Sequence, residues 1–172
     1  MGARMKTRVM LDIETLGNRP GSVLLSIGAV KFGGGELGAE FYERIDAASC
    51  VALGMRLDAA TVLWWFGQSA AALVEAAMPG APLGDVLERF AAWLGDPEAE
   101  IWGKGSDFDN VLVASAYHAA RQPLPWKFWN NRCYRTIAAM SPLVKPERIG
   151  LAHHALDDAK TQAAHLMKIT GL

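Results

Sequence analysis

No uninterrupted apolar run in this sequence approaches the roughly 18 residues of a membrane span, so no membrane partner is expected. Charge of neither sign dominates: 17 Lys and Arg face 18 Asp and Glu, for a net charge of -1. That balance excludes a protein that holds nucleic acid by its overall charge and leaves only a local basic patch for such a role. Cysteine is scarce. Cys50 and Cys133 have neither metal-ligand spacing nor a disulfide framework, and they read as reduced thiols of a cytoplasmic protein. The leading MGARMKTR is basic but lacks the apolar stretch of a signal peptide. Residues 1–7 are therefore expected as a flexible tail, and residues 8–172 as one domain. Internal repeats and low-complexity linkers are also missing. What is there is ordinary globular material, 51% hydrophobic and 20% charged, which excludes a disordered chain.

The first third alternates like sheet. Arg8–Ile13, Val23–Phe32 and Glu36–Ile45 read as strands, the last two joined through GGGE as a hairpin. Helical signals follow. Asp58 precedes AATVLWWFGQ, Ser69 precedes AALVEAA, and Leu83, Val86, Leu87, Phe90 and Leu94 share one helical face. Ile101-Trp102 reads as a short buried strand, Val111–Ala120 as a helix, WKFWN as a last strand and YRTIAAM as a short helix. A final helix is expected from about Asp157 to Ile169. This order implies an α/β domain with a mixed sheet.

Acidic residues interrupt this apolar plan. Asp46 follows a strand and reads as a turn residue. Asp12 and Glu14 differ, because residues two apart on a strand point to the same face. Two carboxylates there repel one another and lose hydration. Either they lie at an exposed strand end, or something positive neutralises them, and a divalent cation suits carboxylate oxygens. Asp107 and Asp109 flank Phe108 at a helix start, where Ser106 or Asp107 also reads as a simple N-cap. In HHALDDAK, a histidine precedes an aspartate by five residues across a loop-to-helix transition. Together these groups offer four carboxylates for two Mg²⁺ or Mn²⁺ ions and a histidine as proton acceptor.

Three stretches then carry a resemblance. LDIETLG (Leu11–Gly17), WGKGSDFD (Trp102–Asp109) and HHALDDA (His153–Ala159) occur in the order found in DEDDh-type 3′–5′ exonucleases of the RNase H-like fold, which the chain resembles from Arg8 to about Lys168. The resemblance implies a mixed five-stranded sheet flanked by helices. It implies Asp12, Glu14, Asp109 and Asp158 as ligands of two Mg²⁺ or Mn²⁺ ions and His153 as general base, with His154, Asp157 and Asp107 as neighbours. The implied substrate is single-stranded nucleic acid with a free 3′ end, RNA before DNA, cut to nucleoside 5′-monophosphates. Thr15 and Leu16 would contact the terminal nucleotide.

From Arg121 to Arg148 six basic residues face the single acid Glu147, interleaved with Trp126, Phe128, Trp129 and Tyr134. Such interleaving suits a phosphate track, for which Arg132, Arg135 and, beside Asp109, Lys104 are the candidates. Trp126 and Phe128 are expected in the core. Three consecutive aromatics, Trp64-Trp65-Phe66, do not fit one helical stripe, so at least one meets another surface, and a homodimer is expected. The rivals are a DNA-directed exonuclease, a nucleic-acid-binding module without chemistry, and a structural domain whose acids are incidental caps.

Overall fold

The computed structural model describes residues 6–172. Strands β1 (Arg8–Thr15), β2 (Leu24–Gly33) and β3 (Glu36–Arg44) form an antiparallel meander. Two short strands, β4 (Glu100–Gly103) and β5 (Asn131–Cys133), add in parallel on the other side of β1. The mixed five-stranded sheet runs β3-β2-β1-β4-β5, so the strand with the acidic pair lies in its middle. The expected mixed five-stranded α/β architecture is thereby present.

Alternation along β1 sorts side chains into two cores. Val9, Leu11 and Ile13 face a layer containing α4 (Leu83–Leu94) and α5 (Asp109–Ala119), joined by α1 (Ala47–Ala52). The predicted stripe of α4 is wholly buried there, because its spacing keeps one face on the sheet. Met10 faces the other layer, with α6 (Tyr134–Ala139) and α7 (Ala155–Thr170). Helices α2 (Ala59–Trp65) and α3 (Ala70–Ala77) complete the chain between α1 and α4, capped by Asp58 and Ser69 as their side-chain chemistry predicts. No helix of the described residues is long and apolar enough to cross a membrane.

Several boundaries differ from expectation. Asp46 is no mere turn residue: its carboxylate accepts the amides of Ala48 and Ser49 and starts α1, a helix with no apolar periodicity to announce it. WKFWN is not a strand. Phe128–Asn130 form a single 3₁₀ turn, and pairing begins only at Asn131. Phe128 is correspondingly 70% exposed, while Trp126 is buried as expected. The last helix starts at Ala155, earlier than expected, because His154 Nδ1 accepts the Asp157 amide and caps it. Of the tail expected over residues 1–7, residues 1–5 lie outside the described residues. Thr7 accepts the Glu100 amide, and Lys6 donates to Asn130.

One close approach fixes the layer that matters for function. Gly28 of β2 pairs opposite Asp12, and the start of α7 lies directly on it. A β-carbon at Gly28 would sit 2.1 Å from the Leu156 nitrogen and 2.2 Å from the Ala155 carbonyl carbon. These are backbone atoms of a capped helix and have little freedom to yield. Gly28→Ala should therefore lift the start of α7 off the sheet and lower the Tm by roughly 5–10 °C in calorimetry. An unchanged Tm would show that this approach is not a constraint.

Candidate active site

Asp12 and Glu14 project from β1 on the α7 side, as the two-residue spacing requires. Both are at least nine-tenths buried. Gln162, one helical turn beyond Asp158, donates from Nε2 to Asp12 Oδ1 at 2.6 Å. Asp109 enters from the first turn of α5 and is 1% exposed. The Lys104 amide donates to its Oδ2 at 2.6 Å. The helix has no side-chain cap, since Phe108 holds the cap position, so neither Ser106 nor Asp107 plays that part. Asp158, in the first turn of α7, accepts the His153 amide at 3.1 Å and pairs with the Arg148 guanidinium.

Repulsion shapes the electrostatics. Burial pushes Asp12 well above the usual carboxylate range, and the charges of Asp109, Glu14 and Asp158 push it further. Glu14 is pushed up to about 8, mainly by burial and then by Asp158 and Asp109, while Lys104 and Arg148 partly offset this. Asp109 rises to about 6 through burial, against the lowering effect of the Lys104 amide. Oxygen donors crowded this closely favour a hard divalent cation that relieves their repulsion. One ligand atom each from Glu14, His153 and Asp158 lies within 4.8 Å of the others. The acidic donor set thus fits a hard divalent cation.

These groups open into one cleft of about 380 Å³ that Thr15, Lys104, Arg135 and Arg148 also line. Two residues expected to contact substrate lie outside this lining. Arg132, in the middle of β5, pairs with Glu100 at 3.0 Å and donates to the Trp129 carbonyl. Leu16 packs on the main core and does not line the cleft. Trp64 and Trp65 take part instead. Trp65 donates from Nε1 to the Thr15 carbonyl at 2.8 Å, and Trp64 meets the His153 ring edge-on at 5.1 Å. Of the aromatic trio only Phe66 points away, 72% exposed. Gln162 was detectable by its four-residue step from Asp158, but Trp64 had no signal apart from its neighbours.

A family model for the Rv2179c-like 3′-5′ exoribonuclease domain matches residues 7–170. Among solved structures, E. coli exonuclease I shares the fold. In complex with a dA16 oligonucleotide it matches at TM-score 0.66 and 18% identity over 95% of this chain and 41% of its own. With a 5cy-dT13 oligonucleotide the values are 0.69 and 16%, over 97% and 41%. A zinc-bound complex of the same enzyme with single-stranded DNA matches at 0.65 and 18%, over 96% and 41%. The chain thus spans about two fifths of exonuclease I. No curated protein matches the sequence.

The raised Glu14 carboxyl links the site to stability. Below about pH 4.5 it is protonated whether the chain is folded or not. As the pH rises from there to about 8 the unfolded chain ionises first, so the folded state loses stability across that window. With divalent ions chelated, Glu14→Gln should melt several degrees above the parent at pH 8 and near the parent at pH 4.5. Identical melting at pH 8 would mean that the carboxylate is not strained.

Proposed function

Because this chain belongs to the Rv2179c-like 3′-5′ exoribonuclease domain family, we propose that its cleft hydrolyses single-stranded RNA from a free 3′ end and releases nucleoside 5′-monophosphates. One observation carries this: Asp12, Glu14, Asp109, Asp158 and His153, spread over almost 150 residues of sequence, line a single cleft. Asp12, Glu14, Asp109 and Asp158 would hold two Mg²⁺ or Mn²⁺ ions. When bound, such ions supply charge neutralisation at the scissile phosphate. The chain's own groups do the rest.

His153 takes a proton from the attacking water as its oxygen bonds to phosphorus, and the 3′-oxygen leaves with the electron pair of the broken bond and takes up a proton from solvent. Thr15 borders the terminal nucleotide, its backbone held by Trp65. Lys104 and Arg135, both exposed at the rim, meet the phosphates. Arg148 neutralises Asp158 from the loop before α7.

The family supports RNA, whereas the solved complexes of exonuclease I contain deoxyoligonucleotides, which keeps a DNA substrate as the second reading. A binding module without chemistry is disfavoured because every acid needed for the reaction faces the cleft. A second copy of the chain is proposed to cover Leu63, Phe66 and Val74, which stand more than 60% exposed on and beside α2 and α3.

With Mn²⁺ or Mg²⁺, labelled RNA should shorten from its 3′ end faster than DNA of equal sequence. Asp12→Ala should abolish the release of mononucleotides, and His153→Ala should lower kcat by about 10²–10⁴-fold with metal affinity intact. Retained activity in Asp12→Ala defeats the assignment, and faster DNA cleavage selects the second reading. Light scattering should give the mass of a dimer, and Phe66→Glu should give a monomer. A monomer of the parent chain at all working concentrations removes the proposed pairing.

A further inference from the structure

The reaction assigned to the cleft uses His153 and leaves its neighbour His154 without a task. His153 has a left-handed backbone, φ 61°, which a non-glycine residue seldom adopts unless its surroundings impose it. On its N-terminal side the constraint is visible, since the His153 amide donates to Asp158. On its C-terminal side His153 is joined to His154, and its ring meets Trp64 and Trp65 edge-on.

Sheet register brings the partners of His154 into place. Asp12 of β1 pairs opposite Gly28 of β2, and Gly28 opposite Tyr42 of β3. These three residues form a row across the α7 face. Where the start of α7 crosses Gly28, the His154 ring stacks on Tyr42, with centroids 4.3 Å apart and planes 30° from parallel. Tyr42 donates its hydroxyl to Glu75 of α3, and Arg44 grips the same carboxylate from Nε at 2.6 Å and Nη2 at 3.0 Å. His154 Nε2 lies 3.9 Å from Glu75 Oε1, while its Nδ1 accepts the Asp157 amide. One edge of the His154 ring is hydrogen-bonded, one face is stacked, and the other edge faces the Glu75 carboxylate. The ring is held between β3 and α7 and borders α3.

We propose that Tyr42, Glu75 and His154 form a clamp that positions His153, setting the direction from which its imidazole enters the cleft. None of the three lines that cleft. They act through the peptide bond between the two histidines and are positioning residues. The clamp rests on the exonuclease reading for its consequence in catalysis, but its structural effect on His153 does not depend on that reading. It also gives the adjacent histidines distinct tasks, one facing the reaction and one fixed to the scaffold.

The test separates aim from fold. Tyr42→Ala removes the stack, and His154→Asn keeps a capping acceptor for Asp157 but removes the ring. Each should lower kcat about tenfold or more with KM and Mn²⁺ affinity unchanged. Tyr42→Phe, which keeps the ring, should restore most of the rate. In a His153→Ala background the same changes should cost nothing further, because the group they aim is gone. Arg89→Ala, which breaks the exposed Glu43 pair on the neighbouring position of β3, serves as the control and should leave kcat unchanged.

Side-chain NMR of His153 supplies a readout independent of turnover. Its ring resonances should shift or broaden in Tyr42→Ala and His154→Asn and stay in place in Arg89→Ala. Unchanged resonances, or an equal fall in kcat with and without His153, overturn the clamp. If Tyr42→Ala does not fold, His154→Asn decides the matter by the same criteria. Shifted His153 resonances in a chain with no nuclease activity would sustain the clamp and refute the exonuclease reading instead.

Discussion

Carboxylates sealed against the middle strand of a sheet repel one another, and much of the molecule is arranged around that repulsion. Asp12 and Glu14 pair with Gly28 and Ser26 of β2 on one side and lie just past the paired part of β4 on the other, and both stay buried. Asp109 is delivered beside them by the turn that follows β4, and Asp158 by the start of α7. Three of the four acids are met by a donor: Gln162 for Asp12, the Lys104 amide for Asp109, and Arg148 with the His153 amide for Asp158. Glu14 has only the more distant help of Lys104 and Arg148 and remains the most uneasy of those with a defined value. Such a site is stable only within a rigid frame, which the two cores on either side of the sheet provide.

That frame was legible where local chemistry and burial coincide. The stripe of α4, the caps at Asp58 and Ser69, and the shared face of Asp12 and Glu14 all follow from spacing alone. Legibility failed where tertiary contacts overruled local preference. WKFWN has the aromatic content of a strand, but burial of Asn130, which donates to the Glu98 carbonyl and accepts from Lys6, turns the chain into a 3₁₀ bend. Helix α1 has a clear cap in Asp46 but buries only Cys50, so no periodicity reveals it. Arg132 and Arg135 are equal as sequence. Only the fold shows that one, on β5, pairs with Glu100 and the other, on α6, reaches the cleft.

The site itself was more legible than its surroundings. All five acid and histidine positions converge, because their chemistry restricts the residue types and the motif order restricts the topology. Trp64, Trp65, Arg148 and Tyr42 are different. Their roles come from packing between segments far apart in sequence, and nothing in their local composition distinguishes them from ordinary surface or core residues.

The two rims of the sheet are unlike, and this limits how the molecule can associate. The β5 rim is three residues long, too short to template a neighbouring strand. The β3 rim is nine residues long but studded with charge, with Glu40 bound to Lys160 and Glu43 to Arg89. An incoming strand would meet fixed ion pairs on one side and almost no ladder on the other. Strand-by-strand growth into fibres is thus disfavoured at both rims of the sheet.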